Sequence, residues 1–232
     1  MLPVNRKLVV IGVVGGIASG KSVVARRLAE WGAAQLDADR TGHEVLDEPS
    51  VRDALVARWG SDILDAEGRV NRRAVASVVF GGGSASQQAR AAEERRFLEQ
   101  IVHPRIRARL EKEIERLREE GQTPAVVLDA ALLFETQWNT LCDEILFVDV
   151  PREMRLERAR RSRGWTDEQF AWREAAQWDT ERKRQAADVV IDNSQDFNAT
   201  FEQVDRWWRA RFPAEQTGQP HLQGAPNEAL TE

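Results

Sequence analysis

Residues 15–22 read Gly15-Gly16-Ile17-Ala18-Ser19-Gly20-Lys21-Ser22, the spacing G-x-x-x-x-G-K-S, and residues 8–14 before them are almost wholly apolar. A buried strand, a glycine-rich turn and a helix in that order make a Walker A loop. The glycines let the backbone curl so that several N–H groups face inward at phosphate oxygens. The start of the next helix adds partial positive charge. Gly16, Ile17, Ala18, Ser19, Gly20, Lys21, Ser22 and Val23 are therefore the expected binding loop for a nucleoside triphosphate. Lys21 reaches the β- and γ-phosphates, and the Ser22 hydroxyl is placed to ligate Mg²⁺.

With 232 residues the chain is long enough for one full core, or for a core with a large insert. Its formal net charge of −5 gives no overall positive field, so no nucleic-acid partner is expected. The single cysteine, Cys142, excludes an intrachain disulfide framework and fits a reducing compartment. Set beside apolar residues, it reads as a buried thiol. The apolar run 8–14 is too short to cross a bilayer, and no leader pattern precedes it. The expectation is a cytoplasmic monomer without a membrane partner. Most of the eight tryptophans should lie in the core or between helices.

Strand and helix patterns alternate beyond the loop. A helix over 21–31 stops at Gly32, and a strand over 34–36 leads to Asp37-Ala38-Asp39. Helices follow over 40–46, 50–59 and 72–80. Past the break Gly81-Gly82-Gly83-Ser84 come helices over 86–102 and 104–120, with Pro104 at a first helical position. Strands resume at 125–128 and 144–150, and a basic helix covers 153–163. Helices at 167–177 and 179–187 precede a strand at 189–191 and an amphipathic helix over 197–212. This alternation predicts an α/β fold: a P-loop NTPase-type parallel sheet flanked by helices. A helical substrate-binding insert is expected over about 40–120 and a helical lid over about 152–178, all within one domain spanning 8–212. Residues 213–232 are polar and rich in Pro, Gly and Gln, the composition of a disordered tail.

Ligands of parallel sheets sit at the carboxyl ends of the strands. Asp37 and Asp39 follow the second strand and Asp129 the third, so all three should face the crevice beside the loop. The run Val126-Val127-Leu128-Asp129 also looks like a Walker B strand, whose aspartate supports Mg²⁺. Phosphoryl transfer to a hydroxyl needs a carboxylate beside the acceptor oxygen. In an extended chain Asp37 and Asp39 point the same way, so one of them serves the acceptor, or else Asp39 caps the next helix. Spacing alone leaves both open. The basic helix carries Arg152, Arg155, Arg158, Arg160, Arg161 and Arg163 before Gly164. That density suits a lid that brings guanidinium groups onto transferring phosphates. Each single arginine also suits a solvated face.

Over residues 8–211 these features resemble the dephospho-coenzyme A kinase family. The matching stretches are the loop itself; Leu36-Asp37-Ala38-Asp39; Gly68-Arg69-Val70-Asn71-Arg72-Arg73 leading to Phe80; Val102-His103-Pro104; Leu132-Leu133-Phe134-Glu135; Gln177 with Lys183; and Ala187-Asp188-Val189-Val190-Ile191-Asp192-Asn193. The resemblance implies a Mg²⁺-dependent kinase that moves the γ-phosphate of ATP to the ribose 3′-hydroxyl of dephospho-CoA, the last step of coenzyme A synthesis. It implies that Asp39 is the catalytic base, working with Lys21. It places Asp37, Arg72, His103, Leu132, Leu133, Phe134 and Glu135 on the acceptor side, Asn193 near the adenine of ATP, and Ser22 with Asp129 at the metal. The chain departs from the family in having Ala18 for Gly, Val23 for Thr, Ala131 for Pro, and Ser162-Arg163-Gly164 for Arg-Asp-Gly. The lid arginine is then Arg161 or Arg163. A nucleoside monophosphate kinase and a non-catalytic ATP-binding regulatory module are the alternative readings.

Overall fold

The computed structural model describes residues 8–81 and 85–213. Apart from Pro213, the tail expected over 213–232 lies outside the described residues. Strands β1 (Val9–Gly15), β2 (Ala34–Asp37), β3 (Ala125–Asp129), β4 (Glu144–Asp149) and β5 (Val189–Asp192) form a parallel sheet in the order β2-β3-β1-β4-β5. Parallel strands need helical crossovers, and these cover both faces. β1 is accordingly buried along its whole length.

Alternate residues of β1 serve opposite cores. Val9, Ile11 and Val13 pack with Val24, Ala25 and Leu28 of α1 (Lys21–Glu30) and with Val204 and Trp208 of α9 (Phe197–Arg211). On the other face Leu8 and Val10 meet Ile114 and Leu117 near the end of α5 (Ala85–Glu120). Val14, Leu128 and Phe147 share a larger core with α2 (Ala38–Leu46), α3 (Pro49–Trp59), α4 (Arg72–Phe80) and the first half of α5. The helical insert is thus anchored to the sheet by apolar packing. Beyond β4 run α6 (Arg152–Arg163), α7 (Asp167–Ala175) and α8 (Thr180–Gln185). α7 opens with a capping box between Thr166 and Gln169.

Two sequence expectations about helices need correction. Residues 86–120 form one helix, with Pro104 inside it rather than at the start of a second. Pro104 forfeits the N–H that would pair with the Gln100 carbonyl, and one residue on the Arg105 guanidinium donates to the Ile101 carbonyl at 2.8 Å. The apolar stripe also runs on across the proline, with Val102, Ile106 and Leu110 in one core. Packing outweighs the local break. The second correction is that α2 starts at Ala38, so Asp37-Ala38-Asp39 is not extended. Cys142 is half-buried, and its thiol is pushed up to about 12, chiefly by burial. Trp138 and Trp208 are buried as expected, but Trp172 is 41% exposed. No helix among the described residues is long and apolar enough to cross a membrane.

Candidate active site

The carboxyl ends of β1, β2 and β3 open into a cavity of about 1590 Å³. A single small-molecule pocket is typically about 300–1,000 Å³, so this one has room for two ligands side by side. Ile17, Ala18, Ser19, Gly20, Lys21, Ser22 and Val23 line it on one side. Gly20 caps α1 at φ +88°, and a Cβ there would lie 2.3 Å from Asn193 Nδ2. Only glycine fits that turn. Gly16 faces away from this cavity, toward the Arg155 guanidinium, which a Cβ on Gly16 would meet at 2.5 Å. Ala18 adopts φ +58° in a loop position where a side chain is strained.

The loop is braced from behind. Asn193 is buried; its Nδ2 donates to the Ser19 carbonyl at 2.7 Å, and Thr200 Oγ1 donates to its Oδ1 at 2.8 Å. Both ends of the amide are therefore engaged within the protein. Asn193 lines the cavity as expected, but its side chain holds the phosphate loop instead of standing free for a base. Arg158 completes the brace by donating to the Asn193 carbonyl at 2.8 Å. Arg155, itself buried, donates to the Val150 carbonyl and pairs with Glu174 at 2.9 Å.

Strand register sets the acidic group. Asp37 of β2 sits opposite Asp129 of β3, and Asp129 sits opposite Val13 of β1. Asp37 accepts from the Arg40 N–H as the cap of α2. It lies outside the cavity wall, with its side chain engaged as that cap. The cap and the cavity carboxylate are thus two different residues. Asp39, in the first turn of α2, faces the cavity, as does Asp129. Both carboxyls are held above the usual carboxylate range. Desolvation is the main cause for each; Asp37 adds to it and Lys21 opposes it. Asp39 stays open to solvent through the cavity mouth, yet it is crowded enough by protein atoms to feel that cost. The Lys21 ammonium is held below its usual range, first by burial, with Asp129 and Asp39 pulling the other way. One ammonium and two carboxylates therefore sit within electrostatic reach of each other.

The opposite wall comes from the helical insert and the segment after β3. His103 lines it, packed edge-on against Trp138 at 5.7 Å, with its imidazole pKa pulled below the ordinary value by burial. Leu132 and Glu135 also line it, whereas Leu133 and Phe134 are buried in the core. The side chains of those two pack in the core, next in the chain to Leu132 and Glu135 on the wall. Arg72 lies outside the cavity wall too. It donates to His43 Nδ1 at 2.9 Å, and His43, which the sequence reading missed, does line the wall. Glu135 accepts from Lys183 Nζ at 3.0 Å and from the Trp178 N–H at 2.6 Å.

From the lid, Arg158, Arg161, Arg163, Trp165, Trp172 and Arg173 reach the cavity. Arg161 is 80% exposed and paired with Glu157 at 2.6 Å, so of the two arginines left open by the sequence, Arg163 is the one without a carboxylate partner among the described residues. Arg158 was named from the sequence only as one of the six arginines of the basic helix, and Arg173 was not named. A run of arginines on one helix does not show which of them face inward, and Arg173 lies on the next helix.

Among the described residues no three His, Cys, Asp or Glu side chains are grouped to hold a metal ion by themselves. That fits Mg²⁺ bound largely through phosphate oxygens and water, with one or two protein oxygens. Ser22 and Asp129 supply hard oxygen donors on this wall, of the kind such a cation takes.

Residues 9–199 match the dephospho-CoA kinase family. A dephospho-CoA kinase from Symbiobacterium thermophilum is 38% identical over 202 residues, 87% of this chain and 80% of that protein. One from Corynebacterium diphtheriae is 40% identical over 187 residues, 80% of this chain and 88% of its own. A crystal structure of a Thermus thermophilus protein is similar with a TM-score of 0.72 at 31% identity, covering 89% of this chain and 98% of that one.

Proposed function

The chain belongs to the dephospho-CoA kinase family, and from that premise we infer how its own residues share the reaction. The activity is that of an ATP-dependent phosphotransferase acting at the last step of coenzyme A synthesis. The γ-phosphate of ATP passes to the ribose 3′-hydroxyl of dephospho-CoA, giving CoA and ADP.

The loop amides and Lys21 hold the β- and γ-phosphates. Ser22 and Asp129 would hold Mg²⁺, which when bound would offset phosphate charge. The acceptor lies against His103, Leu132 and Glu135, with its 3′-hydroxyl at Asp39. The hydroxyl oxygen attacks the γ-phosphorus and the bond to the β-phosphate oxygen breaks. The electron pair of that bond leaves on ADP, and the hydroxyl proton passes to Asp39. A raised carboxyl pKa suits Asp39 to take that proton near neutral pH. Lid arginines neutralise the charge spread over the transferring group. A cytoplasmic setting suits a chain whose single thiol is unpaired.

The observation that carries this reading is that Asp39 and Lys21, brought by the first turns of α2 and α1, face one cavity with room for donor and acceptor together. Asp39→Asn tests it. The variant should lose about 10²–10⁴ in kcat with KM for ATP nearly unchanged, because the base acts on the acceptor. Steady-state ADP release and ATP titration measure the two separately. Equal losses in turnover and ATP affinity contradict the assignment.

A further inference from the structure

Trp165 sits in the link between α6 and α7, on the cavity wall, and has no part in the chemistry above. Two guanidinium groups stack on its ring. Arg163 lies 4.8 Å from the ring centroid and Arg173 lies 4.4 Å from it. Arg173 also lies 6.0 Å from the ring of Trp172. All four side chains line the cavity that holds Lys21.

The two arginines differ from their neighbours in what neutralises them. Arg152 and Arg155 pair with Glu174, Arg160 with Asp167, and Arg161 with Glu157. Among the described residues, no carboxylate stands within ion-pair distance of Arg163 or Arg173. Arg173 Nε is buried without a hydrogen-bond acceptor. An aromatic face attracts a guanidinium through its quadrupole but leaves the full positive charge in place. A carboxylate would cancel that charge and would have to be displaced before an anion could bind. A guanidinium held over a ring without a carboxylate partner keeps donors for a planar or tetrahedral oxyanion. Arg163 is near enough to Lys21 to add a little to what holds the ammonium pKa down, and it shares the cavity wall with Arg173. Such mutual repulsion is relieved when a polyanion enters.

We propose that Trp165 is a positioning residue that holds the Arg163 and Arg173 guanidinium groups, uncompensated, toward the phosphates of the bound triphosphate, and that Arg173 is a phosphate-contacting arginine of this site. The proposal rests on the phosphotransfer reading. It assigns to α7 a part that the run of arginines on α6 gave no hint of.

Four full-length proteins test it: wild type, Trp165→Leu, Trp165→Phe and Arg173→Met. Each is assayed for ADP release with Mg·ATP and dephospho-CoA. Trp165→Leu and Arg173→Met should each lower kcat by about 10-fold or more, with KM for dephospho-CoA changed less than about 3-fold. Trp165→Phe keeps an aromatic face and should recover kcat to within about 3-fold of wild type. Combining Trp165→Leu with Arg173→Met should cost less than about 3-fold beyond either alone, since the two act as one unit. Wild-type kcat in Trp165→Leu or in Arg173→Met overturns the proposal, as does a phenylalanine variant as slow as the leucine one. Arg173→Met leaves the indole in place, so it decides the matter even if Trp165→Leu does not fold.

A second readout needs no acceptor. The emission difference between wild type and Trp165→Phe should shift on adding Mg·ATP and not on adding AMP. If that shift occurs while wild type shows no turnover with dephospho-CoA, the acceptor reading fails and the arginine assignment stands. Full dephospho-CoA turnover in Trp165→Leu with no emission shift overturns the arginine assignment and leaves the acceptor reading standing.

Discussion

At the scale of single residues, the phosphate loop carries a strain that its sequence hid. Ala18 sits at φ +58°, a conformation that costs an L-residue about 1–2 kcal/mol and glycine almost nothing. Glycine gains unfolded-state entropy in exchange, roughly 0.4–1 kcal/mol. Ala18→Gly should therefore stabilise the free protein by a net ~0.5–1 kcal/mol, read as a higher urea midpoint at unchanged slope. A lower midpoint contradicts the strain. The substitution of alanine for the usual glycine was visible in the sequence, but the sign of φ that gives it a cost was not. Asp39 gives the second residue-scale prediction. Desolvation, with Asp37 adding to it, holds its carboxyl up, and a base works only when ionised. As pH falls, kcat/KM should drop through a pKa above the ordinary aspartate value of about 3.9. A pH–rate profile with saturating Mg²⁺ should show this acid limb, and a limb at the ordinary value contradicts it.

At the scale of elements, the site depends on ties between segments distant in sequence. Lys183 of α8 is 1% exposed and reaches Glu135 at 3.0 Å, the Ala131 carbonyl at 3.3 Å and Gln177 Oε1 at 3.2 Å. It joins the chain following the lid to the segment following β3. Burial pulls the ammonium pKa down and Glu135 pushes it back up. A buried pair of this kind adds little net stability against an apolar pair, but breaking it strands one charge. Lys183→Met should cost about 3 kcal/mol or more by urea unfolding, and adding Glu135→Leu should restore a good part of that. A single variant as stable as wild type contradicts the tie. Here the sequence was a partial guide. Buried β1, its loop and the alternation of strands and helices were legible because apolar runs and glycines report local geometry. The unbroken α5 was not, since its continuity depends on core packing across Pro104. Nor was the role of Asn193, whose amide is spent on Ser19 and Thr200. Motif spacing marks such a residue without saying which partner it faces.

At the scale of the whole molecule, the sheet order β2-β3-β1-β4-β5 places the loop after β1 beside the aspartates ending β2 and β3, and the helical insert supplies the far wall. The cavity has room for two ligands, and arginines of α6 and α7 lie on its wall. That arrangement separates a transferase from a switch that merely binds ATP. The wall that must choose the acceptor joins His103 of the helical insert to Leu132 and Glu135 of the segment after β3. The most direct test follows ADP release from the purified full-length chain with Mg·ATP alone and with dephospho-CoA, AMP, CMP or UMP. The product of the dephospho-CoA reaction is identified by mass and by the position of its new phosphate. The account predicts release that depends on dephospho-CoA, with CoA phosphorylated at the ribose 3′-oxygen as the product. Release with a nucleoside monophosphate instead, or ATP bound without transfer to any acceptor, contradicts it.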